Sequence, residues 1–243
     1  MEERLDKVLL QRMLVSSRTR GEELIKNGEV LVNGKTIDKP GKKIPVDAEI
    51  QLLTQESPFV SRGALKLLHA LDFWNISAEG LKLMDIGAST GGFTQVLLER
   101  GAAEVTCIDV GSGQLHEKLR NDPRVKNFEK THVRELTHRH FPEPVDGAVI
   151  DVSFISLEKV IPFLIPFLKP EAFVVALVKP QFEVGRGNVD KHGIVRSAAL
   201  YPEVIENVSR MAGQSSLEVL GVTDSPIKGG DGNREFLMYL KKN

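Results

Sequence analysis

Four ionisable residues stand where an apolar run stops or a helix begins. They are Lys66 in Ser61-Arg-Gly-Ala-Leu-Lys66, Asp151 in Val149-Ile-Asp-Val-Ser-Phe154, Lys179 in Ala176-Leu-Val-Lys-Pro-Gln-Phe-Glu183, and Glu235 in Gly232-Asn-Arg-Glu235. Charges that follow buried runs are rarely there for packing, because desolvating them is costly unless they are paired. Two lysines and two carboxylates could align an attacking oxygen and handle one proton. If desolvation governs Lys179, it turns neutral and acts as a general base. If Asp151 and Glu235 govern it, it stays protonated and stabilises a developing alkoxide. Plain alternatives stand beside this reading: Lys66 on a solvated helix face, and Glu235 as a surface residue at a strand start.

A second constellation is Leu81-Lys-Leu-Met-Asp-Ile-Gly-Ala-Ser-Thr-Gly-Gly-Phe-Thr94, an apolar strand, a small-residue turn and a helix start in succession. Glycines at 87, 91 and 92 let a ligand approach the backbone, and the amides of the helix start face the turn. The dinucleotide fingerprint Gly-x-Gly-x-x-Gly fails at its second glycine, where Ser89 stands. Asp109 follows Gly87 by 22 positions, close to the spacing of about 20 at which a carboxylate reaches ribose hydroxyls. A ligand with a ribose diol and no pyrophosphate fits, and S-adenosylmethionine is the natural candidate. Its expected contacts are Asp85, Gly87, Ala88, Ser89, Thr90, Gly91, Gly92, Phe93, Asp109, Val110 and Asp151. The alternatives are tight helix packing for Gly91-Gly92, a strand-end cap for Asp109, and a loop-orienting role for Asp85.

The elements that must position these residues follow from periodicity. Apolar strand candidates at 81–86, 104–109, 146–151, 172–178, 217–222 and 235–240 alternate with helix candidates at 60–72, 92–100, 113–120, 156–168 and 199–212. That alternation predicts an α/β domain with a mostly parallel sheet covered on both faces, and ligands outside the carboxyl ends of its strands. Upstream, Leu5, Val8, Leu9, Leu24 and Ile25 predict two short helices with Ser16-Ser17 as cap or turn residues. Asn33-Gly34 predicts a hairpin. The polar break at 54–59 places a boundary between domains 1–57 and 58–243.

Composition bounds the rest. The 243 residues, at roughly 150 per domain, allow a large and a small domain, and 41% hydrophobic with 27% charged residues is globular. The single cysteine, Cys107, excludes a disulfide framework, and no metal site is expected; His138 and His140 lack partners at ligand spacing. The amphipathic start Met1-Glu-Glu-Arg-Leu-Asp-Lys is no secretion signal, so a cytoplasmic location is expected. The longest apolar stretch, 160–168, is interrupted by Pro162 and Pro166 and falls short of the ~20 residues of a membrane span. With a net charge of −1, any polyanion must be held by local patches. One such patch lies at 18–43, with seven basic against four acidic residues.

In and before that patch, Arg4-Leu-Asp-Lys-Val-Leu9, Ser16-Ser-Arg-Thr-Arg20 and Ile25-Lys-Asn-Gly-Glu-Val-Leu-Val-Asn-Gly-Lys35 resemble the alpha-L RNA-binding domain, the ribosomal protein S-four-like module. The resemblance implies a small α+β domain gripping folded RNA through phosphate and shape contacts. Residues 60–240 resemble the TlyA group of ribosomal RNA 2′-O-methyltransferases through Ser61-Arg-Gly-Ala-Leu-Lys66, Asp85-Ile-Gly-Ala-Ser-Thr-Gly-Gly-Phe-Thr94, Asp151-Val-Ser-Phe-Ile-Ser-Leu157, Lys179-Pro-Gln-Phe-Glu183 and Gly232-Asn-Arg-Glu-Phe236. That implies a Rossmann-like, FtsJ-like methyltransferase fold, S-adenosylmethionine as cofactor, ribosomal RNA or ribosomal subunits as partner, and a tetrad of Lys66, Asp151, Lys179 and Glu235. Gln95 and His132 depart from the family pattern, the latter on the expected adenine side. RNA contacts are expected at Arg4, Arg18, Arg20, Lys26, Lys35, Lys42, Arg62 and Arg186, the last in a polar segment, 182–197, that reads as a lid or a surface loop. A membrane-active, haemolysin-like protein and a non-catalytic ribosome assembly factor are the competing classes.

Overall fold

The computed structural model describes residues 2–15, 18–53 and 59–243. The expected cap at Ser16-Ser17 and the expected boundary after residue 57 lie outside the described residues. By its internal contacts the chain divides into two compact units, Met1–Ser61 and Arg62–Asn243.

In the small unit, β1 (Glu2–Arg4) leads into α1 (Leu5–Gln11), followed by α2 (Arg18–Lys26), β2 (Val30–Val32), β3 (Lys35–Thr36), β4 (Lys43–Pro45) and β5 (Ile50–Leu52). Leu5, Val8, Leu9, Leu24 and Ile25, the residues whose spacing predicts the two helices, form the core with Val30 and Ile44. The hairpin between β2 and β3 turns on Asn33 and Gly34, both at positive φ (48° and 73°), as a two-residue turn matched to strand twist requires.

The large unit is built on a seven-stranded sheet. Its elements are α3 (Ala64–Trp74), β6 (Lys82–Ile86), α4 (Gly92–Glu99), β7 (Glu104–Ile108), α5 (Glu117–Arg120), β8 (Val125–Phe128), β9 (Val145–Ile150), β10 (Leu168–Val178), α6 (Pro180–Glu183), α7 (Tyr201–Gln214), β11 (Leu217–Asp224) and β12 (Phe236–Lys242). The strand order is β11-β12-β10-β9-β6-β7-β8. Only β12 runs antiparallel to its neighbours; the pairs from β10 through β8 are parallel. The order reverses between β6 and β9, the switch point where open α/β sheets form a ligand crevice. The sheet is covered by α7 through Val204, Val208 and Ala212, one apolar stripe at helical spacing.

Two expectations are corrected, and one strand stands where none was expected. Residues 156–168 form three short 3₁₀ turns, Leu157–Lys159, Ile161–Phe163 and Ile165–Phe167, in place of one helix. Pro162 and Pro166 deny the amides an α-helix needs, and Ile161, Leu164 and Phe167 are buried at the three-residue period of a 3₁₀ turn. The lipophilic segment is therefore core. Among the described residues no helix is long and apolar enough to cross a membrane. The helix expected at 113–120 is confined to Glu117–Arg120, where His116 caps it by accepting from the Lys118 amide. Finally, β8 has no apolar run in the sequence: it is an edge strand of four residues, Val-Lys-Asn-Phe, none of them fully buried.

Gly147 of β9 shows how tightly this sheet is covered, since a Cβ there would lie 2.6 Å from the buried Phe173 ring of β10. Gly147→Ala is expected to lower stability by about 1–3 kcal/mol through overpacking, read as a reduced urea midpoint at unchanged m-value.

Candidate active site

The sheet register assembles a row of functional side chains along one edge. Ile108, Ile86 and Ile150 are paired across β7, β6 and β9, so the residues that follow them, Asp109, Gly87 and Asp151, emerge side by side. Val178 pairs with Phe236 in the antiparallel β10/β12 ladder. Lys179, just after Val178, and Glu235, just before Phe236, therefore face each other at the same edge. Reversal of β12 is what brings the start of that strand to the carboxyl ends of the others.

The four tetrad residues resolve into two ion pairs. Lys66, on the first turn of α3, reaches Glu235 at 2.5 Å, with both side chains buried. Gly229 makes room for that carboxylate: a Cβ there would lie 2.5 Å from Glu235 Oε1. Lys179 Nζ lies 2.7 Å from Asp151 Oδ1. That contact is a close ion pair without hydrogen-bond alignment, and Oδ1 has no hydrogen-bond partner. Lys179 instead donates to Ser153 Oγ at 2.8 Å. Glu183 ties the turn after Lys179 to the loop after Asp151 by accepting from the Leu157 amide at 2.9 Å. Its burial, above all, pushes its pKa up to about 6.

Beside this row opens a cleft of about 630 Å³, within the usual range for small-molecule sites. Gly87, Ser89, Asp109, Val110, His132 and Asp151 line it, with Gln114, Ser153 and Phe154. Asp109 closes the turn by accepting from the amides of Ser89 at 2.8 Å and Gly111 at 2.7 Å. The other expected cofactor residues stand elsewhere. Ala88, Gly91, Gly92 and Phe93 are buried and Thr90 half-buried, none of them at the cleft wall. Gly91, at φ 95°, is required by the helix face opposite: a Cβ would meet Leu119 at 2.3 Å. At Gly87 the demand comes from β9, because a Cβ would lie 2.3 Å from the Asp151 carbonyl oxygen. His132 accepts from the Arg134 amide through Nδ1 and forms a capping box with Glu135.

Asp85 lies wholly buried beneath the turn, accepting from Thr94 Oγ1 at 2.6 Å, while its Oδ1 has no hydrogen-bond partner. Burial drives its pKa up to about 7, opposed by the Thr94 hydrogen bond and reinforced by the charge of Asp151. The neighbouring Cys107 thiol is pushed up as well, chiefly by burial and then by Asp85. The residues present suit S-adenosylmethionine. Ile86, Ile108, Val133 and Val160 offer apolar walls for a base, and Asp109 can accept from a ribose diol.

The expected RNA contacts are distributed over both units. Arg4 and Arg18 converge on the buried Asp6, at 2.9 and 2.8 Å, and these hydrogen bonds, that from Arg4 foremost, lower its pKa to about 2. Arg20 pairs with Glu23 at 2.9 Å. Lys26, Lys35, Lys42 and Arg186 are exposed and Arg62 is half-buried. Sequence reasoning missed Ser153, Thr94, Gln114 and Phe154. Ser153 and Phe154 sit inside a motif already singled out, but nothing in one-dimensional spacing shows that Phe154 is 92% exposed.

Two measurements check this geometry. Lys66→Ala leaves Glu235 buried without its counter-ion and is expected to cost about 3–5 kcal/mol, part of which Glu235→Gln added to it restores, by denaturant titration. Asp85 holds its proton in the fold to about pH 7 but loses it near pH 4 when unfolded. Its contribution is thus full below pH 4 and lost as pH rises to about 7. Asp85→Asn removes that loss, so its stability relative to wild type rises across the same window, by at most about 1.4 kcal/mol per pH unit.

Comparison with known proteins accords with this arrangement. An FtsJ-like methyltransferase model matches residues 59–242, and an S4 domain model matches residues 3–50. The 16S/23S rRNA (cytidine-2′-O)-methyltransferase TlyA of Mycobacterium tuberculosis is 43% identical over 98% of this chain and 89% of its own length. Hemolysin A of Brachyspira hyodysenteriae is 38% identical over 98% of this chain and 99% of its own. A solved structure from Streptococcus thermophilus, named as a hemolysin, is 42% identical with a TM-score of 0.80, covering 100% of this chain and 89% of that one. The strand order and the S4 unit agree with these matches along nearly the whole sequence, and the chain belongs to the TlyA family of FtsJ-like methyltransferases.

Proposed function

We propose that this protein transfers a methyl group from S-adenosylmethionine to a ribose 2′-oxygen of ribosomal RNA. One observation carries the reading: the Lys179–Asp151 and Lys66–Glu235 pairs stand at one sheet edge, and Asp151 of the first lines a cleft suited to the methyl donor. When bound, S-adenosylmethionine supplies an activated sulfonium methyl group. What remains for the protein is to align an in-line attack and manage one proton.

Lys179 is the partner of the 2′-oxygen in this scheme. Asp151 and Ser153 hold its Nζ at 2.7 and 2.8 Å, which fixes where it points. While protonated beside Asp151, Lys179 holds the hydroxyl oxygen as a donor. Docked RNA that displaces water from the edge favours the neutral amine, and in that form Lys179 accepts the hydroxyl proton as the 2′-oxygen takes the methyl group and the donor leaves as the neutral thioether. Lys66, braced by Glu235, donates to the same oxygen, and Asp151 and Glu235 act through the lysines they orient.

Phe154 supports a polynucleotide substrate. It lines the cleft while being 92% exposed, it is held at a φ of 64°, unusual for a bulky residue, and it packs on Phe182 with centroids 5.2 Å apart. An aromatic face offered to solvent beside a reacting centre suits stacking of a nucleobase. The S4 unit and its cations would grip the surrounding RNA through phosphates, and the working compartment is the cytoplasm, where ribosomes are assembled. The tuberculosis relative's name specifies cytidine in 16S and 23S rRNA, and that is the substrate class proposed for this chain.

Incubation of ribosomal subunits with the protein and isotope-labelled cofactor, followed by mass-spectrometric mapping, should place the label on ribose 2′-oxygens. Lys179→Ala should lower transfer by at least about 100-fold while cofactor affinity stays within about twofold. Unchanged transfer by that variant removes Lys179 from the chemistry, and RNA binding with no transfer by the wild type makes the chain an assembly factor.

A further inference from the structure

The segment 188–196 is a built hairpin. Val189 and Val195 form an antiparallel bridge, the Asp190 amide donates to the Ile194 carbonyl at 2.8 Å, and the Arg196 amide donates to the Asn188 carbonyl at 3.0 Å. Asp190 closes the tip by accepting from the amides of His192 at 2.8 Å and Ile194 at 2.9 Å. Lys191 and His192 occupy the exposed tip, and the exposed Arg196 donates to the Val189 carbonyl at 2.9 Å.

A side chain from a distant part of the sequence ties this hairpin to the body. Asn233, 2% exposed, accepts from the Val195 amide at 3.1 Å and donates to the Gly193 carbonyl at 3.0 Å. Its own carbonyl accepts from the Gly229 amide at 2.9 Å. A buried amide left unsatisfied costs about 1–3 kcal/mol, so Asn233 has one orientation, and the hairpin and the 229–233 turn share it. Two residues on stands Glu235, whose Oε1 packs against Gly229 and whose Oε2 holds Lys66.

We propose that Asn233 is a positioning residue that couples the 188–196 hairpin to the Glu235–Lys66 pair, so that RNA phosphate seated on the hairpin cations sets the geometry of the active-site lysine. The proposal rests on the methyltransferase reading. It predicts that the hairpin acts on rate through Asn233, beyond adding affinity.

A double-mutant cycle on the full-length protein tests it, with methyl transfer to ribosomal RNA as one readout and S-adenosylmethionine affinity as another. Asn233→Ala should lower kcat at saturating RNA by about 10- to 100-fold, the scale of a small misplacement at a reacting centre, with cofactor Kd within about twofold. The pair Lys191→Ala/Arg196→Ala should lower kcat also. The combined variant should be no worse than Asn233→Ala alone, since contacts acting in one chain are not additive. Losses that multiply, an unchanged kcat in Asn233→Ala, or a parallel loss of cofactor affinity would overturn the coupling. Should Asn233→Ala not fold, Asp190→Ala loosens the hairpin from its surface end: a lowered kcat supports the proposal and wild-type turnover refutes it. Absence of transfer by the wild type would refute the activity itself, a separate outcome.

Discussion

The row of functional groups from Asp109 to Glu235 depends on hydrogen-bond register in one sheet. In a parallel ladder, residues that pair end their strands at the same height, so Asp109, Gly87 and Asp151 are neighbours because Ile108, Ile86 and Ile150 are paired. The reversed strand β12 extends the row, because an antiparallel partner begins where its neighbours end. A one-residue slip in β12 would turn Glu235 to the opposite face of the sheet and strand Lys66 without its counter-ion. The apolar residues of β9, β10 and β12, buried on both sides, prevent that slip. Core packing and active-site geometry are thus one constraint.

Four of the charges in this row stand as two pairs, while Asp109 is held by backbone amides. Lys66 with Glu235 and Lys179 with Asp151 each supply the partner that burial demands. Asp85 has no cation, and its carboxyl is driven toward the protonated form instead. The row also divides labour. Strands β6, β7 and β9 border the cleft, β10 and β12 carry the lysine and carboxylate on the far side, and Asp151 belongs to both. The loops that follow are locked to one another by Glu183, by Phe154 against Phe182, and by Asn233.

Much of this was legible in one dimension. Strands alternating with helices, the Asn33-Gly34 hairpin, the small-residue turn after β6 and the four charges at element ends all carry local signals. The failures have physical causes. The 156–168 segment has apolar spacing compatible with a helix, and only the two prolines, acting together with burial at a three-residue period, select 3₁₀ turns. An edge strand such as β8 buries too little to leave a hydrophobic pattern. The proposed ligand contacts at Ala88, Gly91, Gly92 and Phe93 are a different case: they share a turn with Gly87, and in the fold all four are buried, with Gly91 against Leu119.

The amino-acid sequence by itself determined most of the element types and the chemical identity of the four charges, since these follow from local periodicity, turn chemistry and residue type. Only the tertiary structure decided which charges pair, that Lys66 binds Glu235 across 169 positions, that Phe154 faces solvent, and that Asn233 clasps a hairpin some 40 residues away. Such contacts are set by strand order and burial. Those are properties of the whole packed sheet, and no short window of sequence contains them.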